Sequence, residues 1–122
     1  MAAEALSDAE RRVLQEQLVD ERQHVERRLA ALVQSFDDLV AAADLEPPDD
    51  EHDPDGTTAY ERAQFASMAE ASRLRLTQID RALAQLADGR YGTCETCGQP
   101  IGEERLAILP SATRCVTCAA GN

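Results

Sequence analysis

The sequence predicts a mainly α-helical protein: a long antiparallel two-helix coiled-coil hairpin followed by a small C-terminal module built on four cysteines. Three observations carry that reading. Apolar residues recur at heptad spacing over two long stretches. An acidic, proline-containing run separates the stretches. All four cysteines lie beyond residue 93, in two Cys-x-x-Cys pairs.

The first helix is expected over about residues 8–43. Ser7 and Glu10 have the spacing of a capping box, in which each side chain answers the other's backbone N–H. The apolar rhythm that follows is Leu14, Leu18, Val25, Leu29, Leu32, Phe36 and Leu39, stepping four, three, four, three from Val25 onward. Arg22 interrupts it, with an aliphatic stem long enough to cover the gap while the guanidinium reaches solvent. Pro47-Pro48 ends the helix, since neither ring donates a backbone hydrogen bond.

Residues 44–57 read as the tip loop. Thr58 and Glu61 then form a second capping box, placing the next helix over about 58–88. Its seam is Phe65, Ala69, Ser72, Leu76, Ile79, Leu83 and Leu86, and Gly89 is placed to cap its end. Ala69 and Ser72 are small enough to let the helices approach closely. Two such helices joined by one loop make an antiparallel hairpin with arms of roughly 45–55 Å. A bundle of three or four helices assembled by dimerisation is the alternative. Residues 1–88 are thus expected to form the hairpin and 89–122 the cysteine module.

Composition sets what such a chain can bind. Aromatic residues are 3% of the 122 and Trp is absent, so apolar burial is limited and a metal staple or long seam must compensate. There are 23 acidic residues against 12 basic, a net charge of −11, and every basic residue is Arg. That balance repels a phosphate backbone, so direct sequence-specific DNA binding is not expected and a basic partner surface fits better. The acidity peaks in 44–55, with seven carboxylates and no Arg. No stretch has the length and apolarity of a membrane span, and the acidic start does not resemble a secretory signal; a cytoplasmic, reducing location is expected.

In that compartment two close cysteine pairs suggest metal ligands rather than disulfides. Cys94 and Cys97, seventeen intervening residues, then Cys115 and Cys118 is the spacing of a tetrahedral thiolate site for one zinc ion. Gly98 suits the turn that aims backbone amides at the first pair of sulfurs. Iron also accepts four thiolates, and spacing alone does not distinguish the two metals. Four protein thiolates close the coordination shell, so the zinc is expected to be structural. Ile101, Leu106, Ile108 and Leu109 are expected to pack the module.

From the second helix through the tail the sequence resembles the DksA/TraR family of bacterial transcription regulators. The resemblance rests on Gly92, Cys94-x2-Cys97-Gly98, Pro100-Ile101, Arg105-Leu106, Pro110 and Cys115-x2-Cys118, spacers included. It implies a protein that binds RNA polymerase directly, inserting its hairpin tip into the secondary channel to modulate initiation complexes. Asp49, Asp50, Glu51, Asp53 and Asp55 would then be the partner-binding tip residues, and the chain would act as a monomer. The best-known members carry Asp-x-x-Asp-x-Ala at the tip. The nearest match here is Asp50-Glu51-His52-Asp53-Pro54-Asp55, with Asp55 where Ala would stand. Counting back from Cys94 instead puts the motif one residue on, at Glu51 and Pro54. Four residues follow Cys118, so the C-terminal helix of some members is expected to be missing, and cooperation with a nucleotide alarmone is not carried over.

The acidic run also has simpler readings: solvated surface, or a cation site, although the spacing is not that of an EF-hand loop. His24 and His52 read as surface residues, and Tyr60 and Tyr91 as packing residues at the ends of the second helix. No nucleophile–base constellation or phosphate-cradling glycine loop is visible, so an enzyme is not expected. Two other readings remain: a zinc-hairpin adaptor that dimerises through its coiled coil, and a thiol redox sensor that releases zinc on oxidation.

Overall fold

The first helix starts as its cap dictates. In the computed structural model, which describes residues 6–45 and 54–121, the Ser7 backbone N–H donates to Glu10 Oε1 and the Glu10 N–H donates to Ser7 Oγ, both at 3.1 Å. Those bonds hold the Glu10 carboxyl below its ordinary range, the Ser7 backbone donor contributing most. Helix α1 then runs Asp8–Leu45 and helix α2 runs Pro54–Asp88. Two short helices follow, α3 at Glu103–Ile108 and α4 at Val116–Ala120. The described residues contain no named strand, only an isolated antiparallel bridge between Thr93 and Pro100.

Helix α2 begins ahead of the expected start at Thr58. Pro54 is its first residue, a position where the missing N–H costs nothing and the fixed φ suits the helix. Thr58 and Glu61 therefore lie inside α2, and their capping-box spacing does not mark its start. Asp55 accordingly falls in the first turn of a helix rather than in a loop. The expected tip residues Asp49, Asp50, Glu51 and Asp53 lie outside the described residues, as does the side chain of Asp55.

The chain forms two compact units. One combines Met1–Gln23 with Leu76–Asn122 and the other is His24–Arg75. In the first, Leu18, Ile79 and Ala82 are fully buried and Leu86 nearly so. Arg22, at the break in the α1 seam, does not simply reach into solvent: its Nε donates to Asp80 Oδ1 of α2 at 2.7 Å. A second bond joins Nη2 to Oδ2 at 3.4 Å. The seam's polar step is thus answered across the helix pair.

In the second unit Val25, Ala69 and Ser72 are buried, and Leu29, Leu32, Phe36, Leu39 and Phe65 are half-buried. The Phe36 and Phe65 rings meet edge to face, with centroids 6.2 Å apart and planes at 74°. Every described seam position is at least half-buried, as heptad packing requires.

Candidate metal centre

Helix α2 delivers the chain to the cysteine module through a glycine cap. Gly89 takes φ 77°, its N–H donates to Leu86 O, and the Arg90 N–H donates to Gln85 O at 2.8 Å. These two bonds form a Schellman motif, which satisfies carbonyls the helix end would leave open. Tyr91 then turns inward, its hydroxyl donating to Pro110 O at 2.7 Å, and burial pushes its pKa up.

The first knuckle is closed by backbone bonds. The Cys94 N–H donates to Gln99 O, and the Gly98 N–H returns to Cys94 O at 2.9 Å with Gly98 at φ 76°. A side chain at Gly98 would be strained in that left-handed conformation. Ile101 N–H to Gly92 O, beside the Thr93–Pro100 bridge, ties the two sides of the turn together. The second pair is built by α4. Cys115 is its N-cap, and its sulfur accepts the Cys118 N–H at 3.5 Å.

These turns bring the sulfurs of Cys94, Cys97, Cys115 and Cys118 within 4.8 Å of one another. Zinc–sulfur bonds of about 2.3 Å give a tetrahedron with edges of about 3.8 Å. The Cys97 and Cys115 sulfurs are 3.8 Å apart. The donor set and its size therefore fit one zinc ion, which these four residues would hold.

Their protonation chemistry points the same way. Burial opposes ionisation of Cys94, yet the backbone N–H groups of Cys115, Cys97 and Thr96 and the Cys97 thiol all donate toward its sulfur, bringing its pKa down to about 6. Cys118 is pushed up to about 12 by hydrogen bonding with the Cys115, Cys97 and Cys94 thiols, aided by burial and by the Cys115 charge. Four thiolates this close cannot all stay ionised by themselves, and a dication removes the conflict.

Around the sulfurs, Cys94, Ile101 and Ala112 form a buried cluster on which Leu106 and Leu109 pack. Ile108 does not join it: 86% of its surface is exposed, contrary to expectation. Two residues along a helix turn a side chain about 200°, so Ile108 faces away when Leu106 faces in. Two polar links that sequence reasoning missed complete the module. Arg105 Nε donates to Arg114 O at 3.0 Å. Glu95, between the first two cysteines, accepts from Thr113 Oγ1 at 3.2 Å and pairs with Arg81 of α2 at 3.6 Å. Neither link has a local sequence signature, because its partners are far apart in the chain. His24 is exposed on α1, its Nε2 3.5 Å from Arg28 Nη2.

Residues 89–122 match the family model for the prokaryotic DksA/TraR C4-type zinc finger. The RNA polymerase-binding transcription factor DksA of Caulobacter vibrioides is 41% identical over 56 residues, 46% of this chain and 39% of that protein. General stress protein 16O of Bacillus subtilis is 40% identical over 57 residues, 47% of this chain and 35% of that protein. Among solved structures, transcription factor DksA2 from Pseudomonas aeruginosa superposes with a TM-score of 0.74 at 28% identity, covering 94% of this chain and 84% of that one.

Residues 89–122 thus carry a DksA/TraR C4-type zinc finger, and the chain shares its fold with DksA2. The DnaK suppressor protein of Agrobacterium tumefaciens also aligns, over 100% of both chains, with a TM-score of 0.60 and 28% identity. The matched segments span less than half the length of the curated relatives named above. As in a DksA/TraR C4 finger, the cofactor is one zinc ion. No helix among the described residues is long and apolar enough to cross a membrane.

Proposed function

We propose that this chain is a bacterial transcription regulator that binds RNA polymerase directly and acts without catalysing a reaction of its own. The observation that carries this reading is the combined likeness: a C4 finger of the family's spacing, following two long helices that match DksA2 over 94% of the chain. The finer mechanism is insertion of the acidic segment between α1 and α2 into the polymerase secondary channel. Asp49, Asp50, Glu51, Asp53 and Asp55 are the carboxylates that would approach the polymerase active centre. Residues 44–55 hold seven carboxylates and no Arg. A net charge of −11 supports contact with protein rather than with promoter DNA.

In this reading residues 1–88 are the working hairpin and 89–122 the zinc module, and the protein works in the cytoplasm. Zinc is structural, because four thiolates leave no coordination position for water or substrate. The single chain is the form that engages polymerase. In vitro transcription across several promoters tests the proposal. The wild-type protein should change initiation at some of them, and the Asp50→Asn, Asp53→Asn, Asp55→Asn triple variant should lose that effect while keeping its zinc. An unchanged response in the triple variant would sink the tip assignment, and no response from the wild type would sink the regulator.

A further inference from the structure

A carboxylate is a costly residue to place between two zinc ligands. Four thiolates around a dication leave the site with net negative charge. Glu95, between Cys94 and Cys97, adds another beside it. Charge alone would favour a neutral side chain at this position. The bonds that Glu95 makes show what its carboxylate is for.

The Glu95 N–H donates to Thr113 O at 2.8 Å, and Glu95 Oε1 accepts from Thr113 Oγ1 at 3.2 Å. Main chain and side chain thus grip one residue, which is buried and lies two positions before Cys115. Losing the carboxylate there would leave a buried hydroxyl unsatisfied. The clamped segment also presents the Cys115 N–H, which donates toward the Cys94 sulfur. A shift of Thr113 would therefore carry the second cysteine pair away from the first. The same Oε1 lies 3.6 Å from Arg81 Nη1 of α2, which answers its charge. Glu95, Thr113, Arg81 and the four cysteines all belong to the unit that combines Met1–Gln23 with Leu76–Asn122.

We propose that Glu95 is a positioning residue for the zinc ion. Clamped to Thr113, it holds the two cysteine pairs at the separation the metal requires, while Arg81 offsets its charge beside the thiolates. Preorganisation is the physical source of the effect: with the clamp made, metal binding need not also order the two turns. Groups that orient metal ligands from outside the coordination shell typically account for about ten- to a hundredfold in affinity. The role does not depend on the polymerase reading, since it concerns only how tightly the module keeps its metal.

Competition between the zinc-loaded full chain and a chelator of known affinity tests this role. Glu95→Ala and Thr113→Val should each weaken zinc binding about ten- to a hundredfold, and the two together no more than the larger single loss. Glu95→Gln keeps an oxygen for the Thr113 hydroxyl and should stay within about threefold of the wild type. Arg81→Ala should weaken zinc binding roughly two- to fivefold, because it leaves the carboxylate's charge unanswered. The same change beside Glu95→Gln should do nothing, since an amide needs no counter-charge. Cobalt in place of zinc should give the absorption of a tetrahedral four-thiolate site in every variant. Wild-type affinity in Glu95→Ala, or additive losses from Glu95→Ala and Thr113→Val, would overturn the proposal. So would Glu95→Gln as weak as Glu95→Ala, or an Arg81→Ala effect that persists beside Glu95→Gln. Loss of the cobalt signature in Glu95→Ala would overturn it too, by making Glu95 a requirement of the fold rather than of the metal's position.

Discussion

Cys94, Cys97, Cys115 and Cys118 announce themselves by spacing, because a tetrahedral thiolate site needs two short turns and enough chain between them to close. The groups that hold those turns in place are less visible. Glu95 joins the first knuckle to Thr113 and to Arg81 of α2, and Tyr91 anchors the chain to Pro110. Such bonds depend on which distant residues the fold brings together, and Ile108 shows the converse error of counting hydrophobicity without facing. Tyr91→Phe should cost about 1 kcal/mol, the net worth of one hydrogen bond, read as a lowered denaturation midpoint. The raised Tyr91 pKa makes a second prediction. A hydroxyl held neutral by burial contributes stability fully below its unfolded pKa and loses it as pH rises through the folded value. The alkaline fall in stability should therefore be shallower in Tyr91→Phe than in the wild type, and equal slopes would contradict the assignment.

At the level of elements, the two long helices were legible because their seams repeat over many turns. Leu18, Val25, Ala69, Ser72, Ile79 and Leu86 are buried as the heptads require. The start of α2 was not legible: Thr58 with Glu61 has the spacing of a capping box, whereas Pro54 lies in an acidic, proline-containing run that reads as loop although it opens the helix. Arg22 was recognised as the irregular step, but its partner Asp80 sits 58 residues away and no local pattern pointed to it. Leu18→Ala removes a fully buried side chain and should cost about 2–5 kcal/mol. A double-mutant cycle on Arg22 and Asp80 should give a coupling of only about 0.2–1 kcal/mol, since both side chains are partly exposed at 35% and 52%. A coupling several times larger would mean that the pair specifies the seam's register rather than decorating it.

For the molecule as a whole, stability rests on two separate sources: apolar seams between α1 and α2, and a metal that cross-links residues 94–118. Native mass spectrometry should find one zinc per chain, and Cys115→Ser should lose it. Chelation should remove little helical signal, because α3 and α4 have only 6 and 5 residues against 38 and 35 in α1 and α2. Amide exchange at Ile101 and Ala119, whose N–H groups bond within the module, should accelerate sharply.

The central claim is that the acidic segment between α1 and α2 meets RNA polymerase inside its secondary channel. A photoreactive amino acid placed at position 52, with zinc bound and polymerase present, tests it most directly. The account predicts crosslinks to polymerase residues that line the channel, and their disappearance when a channel-blocking competitor is added. Crosslinks confined to the polymerase exterior, or none from a protein that still alters transcription, would contradict it.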